Sequence, residues 1–208
     1  TVAQTAFQTC CATLDCLLDA KPAGSDAPTV RELVADTLAV IGENMAVSRC
    51  VSMSVPEGSD GLVHAYIHPP GKVGVLLRLA CSSDAVAKAP ATADLAHNVC
   101  LHIAFSNPVS IDSSSIPPKI VEAEKEVFRN QARQQGKPEQ MIEKIVEGRV
   151  KAFYKESCLL DQAYVKDEKL SVSQFVAEVA KAAGGEIAIA EFARFQLGES
   201  AGEGGQEE

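Results

Sequence analysis

Four histidines, seven cysteines and a dense series of glutamates between 122 and 147 are the residues of this chain best able to do chemistry. His64 and His68 stand four apart, a spacing that on a helix would chelate a divalent metal. They fall instead in an alternating stretch that reads as a strand, where the same spacing puts them on one face with a residue between them, so surface or packing roles follow. His97 and His102 are five apart on a predicted helix, share no face and read as structural. Cys10, Cys11, Cys16, Cys50, Cys81, Cys100 and Cys158 include no CxxC pair, and several sit in apolar runs. They read as reduced, mostly buried packing thiols rather than as a zinc site, a dithiol or a nucleophile with a nameable base. Gly71-Lys72-Val73-Gly74 resembles a phosphate loop only superficially, because it lacks the GxxxxGK[ST] spacing and follows a turn. The glutamates, including the pairs Glu122 with Glu126 and Glu143 with Glu147, alternate with Lys and Arg as on a solvated helix face. With no triad, dyad or cofactor fingerprint, these residues describe a non-enzymatic interaction protein without a cofactor or a metal of its own.

Composition narrows the partners. The chain has 208 residues, 46% of them hydrophobic, enough for one large core or two small ones. No apolar run approaches the roughly 20 residues that span a bilayer, and residues 1–16 lack the basic region of a secretory signal, so a cytoplasmic location is expected. A formal net charge of -9 opposes attraction to nucleic acid or anionic membrane. Three Tyr and no Trp offer few platforms for stacking single-stranded bases. A protein partner or a small ligand is favoured.

The elements that must position these residues follow from periodicity and punctuation. Residues 7–18 have helical spacing and end in the Pro/Gly-rich loop 21–28. Thr29-Val30-Arg31-Glu32 reads as a capping box opening a helix to about Val40. After Gly42, residues 45–55 alternate as a strand; 62–68 and 73–79 continue the pattern, predicting a three-stranded antiparallel meander covered by a helix over 91–105. Two amphipathic helices follow, with apolar residues at Ile120, Val127 and Phe128 and at Met141, Ile142, Ile145, Val146, Val150 and Phe153. Gly136-Lys137-Pro138 between them predicts an antiparallel helical hairpin of coiled-coil type.

An internal repeat links the two ends. Laying 29–57 over 171–199 at an offset of 142 matches the capping boxes, Val34-Ala35-Asp36 with Val176-Ala177-Glu178, Gly42 with Gly184, and Met45-Ala46-Val47 with Ile187-Ala188-Ile189. The fold class expected is α+β: two related subdomains, each with a small antiparallel sheet and packed helices, plus an inserted helical hairpin. The segments are an N-terminal core subdomain at 1–112, the hairpin at 113–157, a second core subdomain at 158–199 completed by other core segments, and a disordered acidic tail at 200–208.

Ile41-Gly42-Glu43-Asn44, Ala65-Tyr66-Ile67-His68 followed by Gly71-Lys72-Val73-Gly74, and above all Gly136-Lys137-Pro138 with Glu147-Gly148-Arg149, occur in one order. With Lys166-Asp167 before the second repeat, they resemble the elongation factor Ts family over nearly the whole chain. The resemblance implies a guanine-nucleotide exchange factor that binds elongation factor Tu and loosens its GDP. Its first subdomain would touch the GTPase domain near the magnesium and phosphates, and its second would grip another domain of Tu. It also implies contacts from Ile41 and Gly42 at a helix-to-strand turn and from His68 at a strand end. The same residues would otherwise serve as a plain helix cap and a solvent-facing turn residue.

Two departures accompany the resemblance. Thr1-Val2-Ala3 stands where the family carries Thr-Asp-Phe-Val-Ala, whose Asp and Phe press into Tu, and the family's leading three-helix domain is not part of this sequence. A fragment or a divergent member with weakened exchange is expected on that basis. The alternative is an interaction or dimerisation scaffold that keeps the fold without exchange activity; related subdomains with sheet edges are compatible with a homodimer.

Overall fold

Capping chemistry sets the boundaries of the elements. The structure, a computed structural model, describes residues 1–11 and 13–199. In chain order it contains α1 (Val2–Thr9), α2 (Leu14–Asp19), α3 (Val30–Ile41), β1 (Asp60–His68), β2 (Val73–Cys81), α4 (Asp84–Ala87), α5 (Pro90–Ser106), α6 (Pro118–Gln134), α7 (Glu139–Ser157), β3 (Ala163–Tyr164), β4 (Asp167–Ser171), α8 (Val172–Ala183) and β5 (Ile187–Gln196). The class is α+β, as expected, with two antiparallel sheets of strand order β1-β2-β5 and β3-β4.

Contacts gather into two compact units, Thr1–Ser54 with the described residues 198–199, and Val55–Leu197. In the first unit, α1, α2 and α3 meet over a small core of Cys11, Leu17 and Val30, against which Val34, Val47 and Cys50 pack. The helix expected over 7–18 is broken. Cys10 adopts a left-handed conformation (φ 49°) at the end of α1, and the Thr13 side chain restarts the chain as the N-cap of α2. Beyond that break Cys11 and Cys16 are joined as a disulfide, which departs from the expectation that all thiols are free.

In the second unit, β1 and β2 form the expected hairpin, but the third strand is not the one predicted. Residues 45–55 keep the burial alternation of a strand, with Met45, Val47, Val51, Met53 and Val55 half-buried and Ala46, Ser48, Ser52 and Ser54 exposed, yet they belong to no ladder. The place beside β2 is taken by β5, in a register running from Val73 opposite Gln196 to Cys81 opposite Ile187. Alternation reports which side chains are buried; it cannot name the backbone that supplies the hydrogen bonds. One face of the sheet, carrying Val75, Leu77, Leu79, Ile187 and Ile189, packs into a core with Leu95, Val99 and Ile103 of α5 and Val172 and Val176 of α8. Tyr164 stacks on Phe175 with centroids 4.3 Å apart.

The helical hairpin forms around its predicted turn. Gly136 takes φ 68°, its N–H bonds Arg133 O at 2.9 Å, and the Lys137 N–H bonds Ala132 O at 3.1 Å, a Schellman closure that needs a residue free to turn left-handed. The seam buries Ala132, Ile142, Val146 and Val150. Ile120, Val127 and Met141, expected in the stripe, stay exposed at its margin. Arg129 of α6 ties the two helices together by reaching Glu143 of α7 at 2.9 Å and pairs with Glu126 of its own helix at 3.2 Å, and Arg133 reaches Glu139 of α7 at 3.0 Å. The expected acidic tail at 200–208 lies outside the described residues.

Candidate functional site

Ile41 and Gly42 end α3. Thr29 opens that helix by accepting the Glu32 N–H at 3.2 Å, and Gly42 closes it in the left-handed region (φ 76°), its N–H bonded to Leu38 O at 2.8 Å. A residue with a Cβ is strained there, so the turn depends on glycine even though a Cβ would meet nothing within 4 Å. Two large apolar side chains stand in solvent immediately before it: Val40 is 87% exposed and Ile41 54%. A solvated valine and isoleucine side by side on one helix end suit burial against another protein, with each side chain worth about 1.5–3 kcal/mol when fully covered. Val40 was not singled out by the sequence. Within a helix its apolar character alone cannot separate a surface residue from a core one.

His68 belongs to the second unit, at the end of β1 opposite Val73. The turn that follows is closed by the Gly71 N–H bonding His68 O at 2.7 Å. The ring is exposed, and its neighbour Ile67 is 71% exposed. The Tyr66 hydroxyl lies 3.0 Å from His68 Nδ1. Ile41 and Gly42 thus share one helix terminus, whereas His68 occupies a hairpin rim in the other unit.

The remaining reactive side chains are engaged elsewhere. His102 is fully buried, accepts the Val165 N–H at Nδ1 (3.2 Å) and meets Gln162 Oε1 through Nε2 at 2.9 Å. These partners assign the Nε2–H tautomer. Burial holds its pKa below the usual histidine value, opposed by the hydrogen bond to Gln162. Burial pushes the Cys100 thiol up to about 12 and shifts Cys81 and Cys158 in the same direction, away from the thiolate a nucleophile needs. Among the described residues no group of three or more His, Cys, Asp or Glu is placed to hold a metal ion. No described helix is long and apolar enough to cross a membrane.

The profile of the family described as Elongation factor TS matches residues 1–199. The chain belongs to the elongation factor Ts family. It is 43% identical to elongation factor Ts of Lawsonia intracellularis over 183 residues, which are 88% of this chain and 62% of that relative. It is also 43% identical to that of Clostridium perfringens over 171 residues, 82% of this chain and 54% of the relative. With elongation factor Ts of Nitratidesulfovibrio vulgaris it shares 44% identity over 140 residues, 67% of this chain and 70% of the relative. The chain spans less than two thirds of the length of the first two relatives.

Proposed function

We propose that this chain binds elongation factor Tu carrying GDP and promotes release of the nucleotide during translation elongation, in the cytoplasm, without covalent chemistry. The observation that carries the reading is the exposed Val40-Ile41 pair held out by the Gly42 turn, at the position where the family resemblance implies contact with Tu. The exposed His68 at the hairpin rim is the second contact implied.

Exchange by binding needs only that the factor and the nucleotide oppose one another on Tu. If the factor weakens GDP binding, GDP weakens factor binding by the same factor, so release is accelerated while the overall nucleotide equilibrium is unchanged. Coupling energies of about 1–3 kcal/mol are typical of such linkage. The direct test is release of a fluorescent GDP analogue from Tu followed in stopped flow. Acceleration by substoichiometric amounts of the chain is expected. Binding to Tu without acceleration would leave an interaction scaffold in place of an exchange factor, and no binding would overturn the reading.

A further inference from the structure

Leu62, His64, Tyr66 and His68 alternate along β1 on one face of the strand, and Leu62 and Tyr66 pack against the main core. The Tyr66 ring is set edge-on against His97 of α5, with centroids 5.2 Å apart and an interplanar angle of 88°. His97 meets His64 in the same way, at 5.7 Å and 84°. The ring that carries the hydroxyl is therefore held from two sides, by the core and by α5, while the imidazole it touches is exposed.

Of the two arrangements that the 3.0 Å contact allows, the one in which the phenol O–H, the more acidic donor, donates to His68 makes Nδ1 the acceptor. The ring proton then resides on Nε2, the nitrogen away from Tyr66, and the ring plane is tied to the core through Tyr66. We propose that Tyr66 is the positioning residue of His68, fixing its orientation and its Nε2–H tautomer so that His68 presents an N–H donor to an oxygen acceptor, a carbonyl or carboxylate, on elongation factor Tu. The inference rests on the reading of His68 as a docking residue. Tyr66 itself acts through His68, and an exposed imidazole without it would sample several rotamers and both tautomers before docking.

The first arm of the test is nitrogen-15 NMR of the histidine rings in the free chain. Wild type is expected to show His68 as the Nε2–H tautomer, and Tyr66→Phe, which keeps the packed ring and removes the hydroxyl, is expected to show a tautomer mixture with an unchanged melting temperature. The second arm is GDP release from Tu. Y66F should slow exchange about fivefold through a weaker apparent affinity, in line with loss of one hydrogen bond. In the His68→Ala background the same change should have no further effect. His68→Gln, whose amide nitrogen reaches the Nε2 position, should retain more activity than His68→Asn. Wild-type acceleration together with an unaltered His68 tautomer in Y66F, or with additive effects of Y66F and H68A, would overturn the role of Tyr66 alone. Failure of the wild type to accelerate release would overturn the exchange reading and the docking half of the inference, while the NMR arm still decides whether the hydrogen bond exists.

Discussion

The two copies of the internal repeat begin alike and end differently. Both α3 and α8 have 12 residues, both are opened by a hydroxyl side chain, and both are closed by a left-handed glycine, Gly42 at φ 76° and Gly184 at φ 74°. The second copy then runs into β5 and the main core, burying Val172, Val176, Ala180, Ile187 and Ile189. The first buries only Val30 along its helix and continues as an extended segment outside any ladder. At the helix ends, Val40 and Ile41 of the first copy correspond to Ala182 and Ala183 of the second. After the capping glycine, Glu43 of the first corresponds to Gly185, where a Cβ would come within 2.5 Å of both Ser82 Oγ and Val86 Cγ2. One copy is trimmed to fit against its own chain, while the other keeps bulky apolar groups in solvent. The same local code ends in a packed helix terminus in one place and in an exposed apolar one in the other.

The comparison is broken most severely in the core. Ile189→Ala should cost about 2–4 kcal/mol in urea unfolding, whereas the matching Val47→Ala, at a half-buried position in a three-residue core, should cost less than about 1 kcal/mol. Equal losses would mean that the first unit is as tightly built as the second. Next comes the glycine that permits close approach: Gly185→Ala should destabilise by about 1–3 kcal/mol through forced displacement of Ser82 and Val86, while Glu43→Ala at the equivalent exposed site should be near neutral in the same measurement.

The buried His102 gives the second unit a pH dependence. Its folded pKa lies below the unfolded value of about 6.5, so the unfolded chain takes up the proton first. Stability is then complete above about pH 6.5 and declines as pH falls through the window between the two values. Urea midpoints collected from pH 7.5 to pH 5 should fall in wild type and fall less in His102→Gln. A parallel fall in both would assign the effect to other groups. Smaller effects lie at the caps, where Thr29→Ala and Ser171→Ala should each cost about 1 kcal/mol; the bond from the Ser171 backbone N–H to Gln174 Oε1 at 2.8 Å survives the second substitution, so the two losses should be alike.

Local signals in the sequence were sufficient for elements whose hydrogen bonds close locally. The caps at Thr29 and Ser171, the left-handed turns at Gly42, Gly136 and Gly184, the β1–β2 hairpin and the paired helices all follow from nearby residues. What depended on remote partners was not legible. Nothing in residues 187–196 announces that they, and not 45–55, lie beside β2, because both segments alternate and the choice is made by non-local packing. The break at Cys10 carries no glycine or proline to mark it. Of the candidate site, Ile41, Gly42 and His68 came from the family resemblance, and the exposure of Val40 and Ile67 required the fold. The Tyr66–His68 bond was within reach, since residues two apart on a strand share a face.

The account turns on the first copy serving as a docking end, and converting it to the second copy's residues tests that most directly. A Val40→Ala, Ile41→Ala double variant should leave the melting temperature unchanged, because both side chains are exposed, and should reduce the rate at which substoichiometric chain releases fluorescent GDP from Tu by about tenfold or more, in keeping with the loss of two buried apolar contacts. Undiminished release by the double variant, in a preparation where wild type is active, would contradict it and place the working surface elsewhere on the chain.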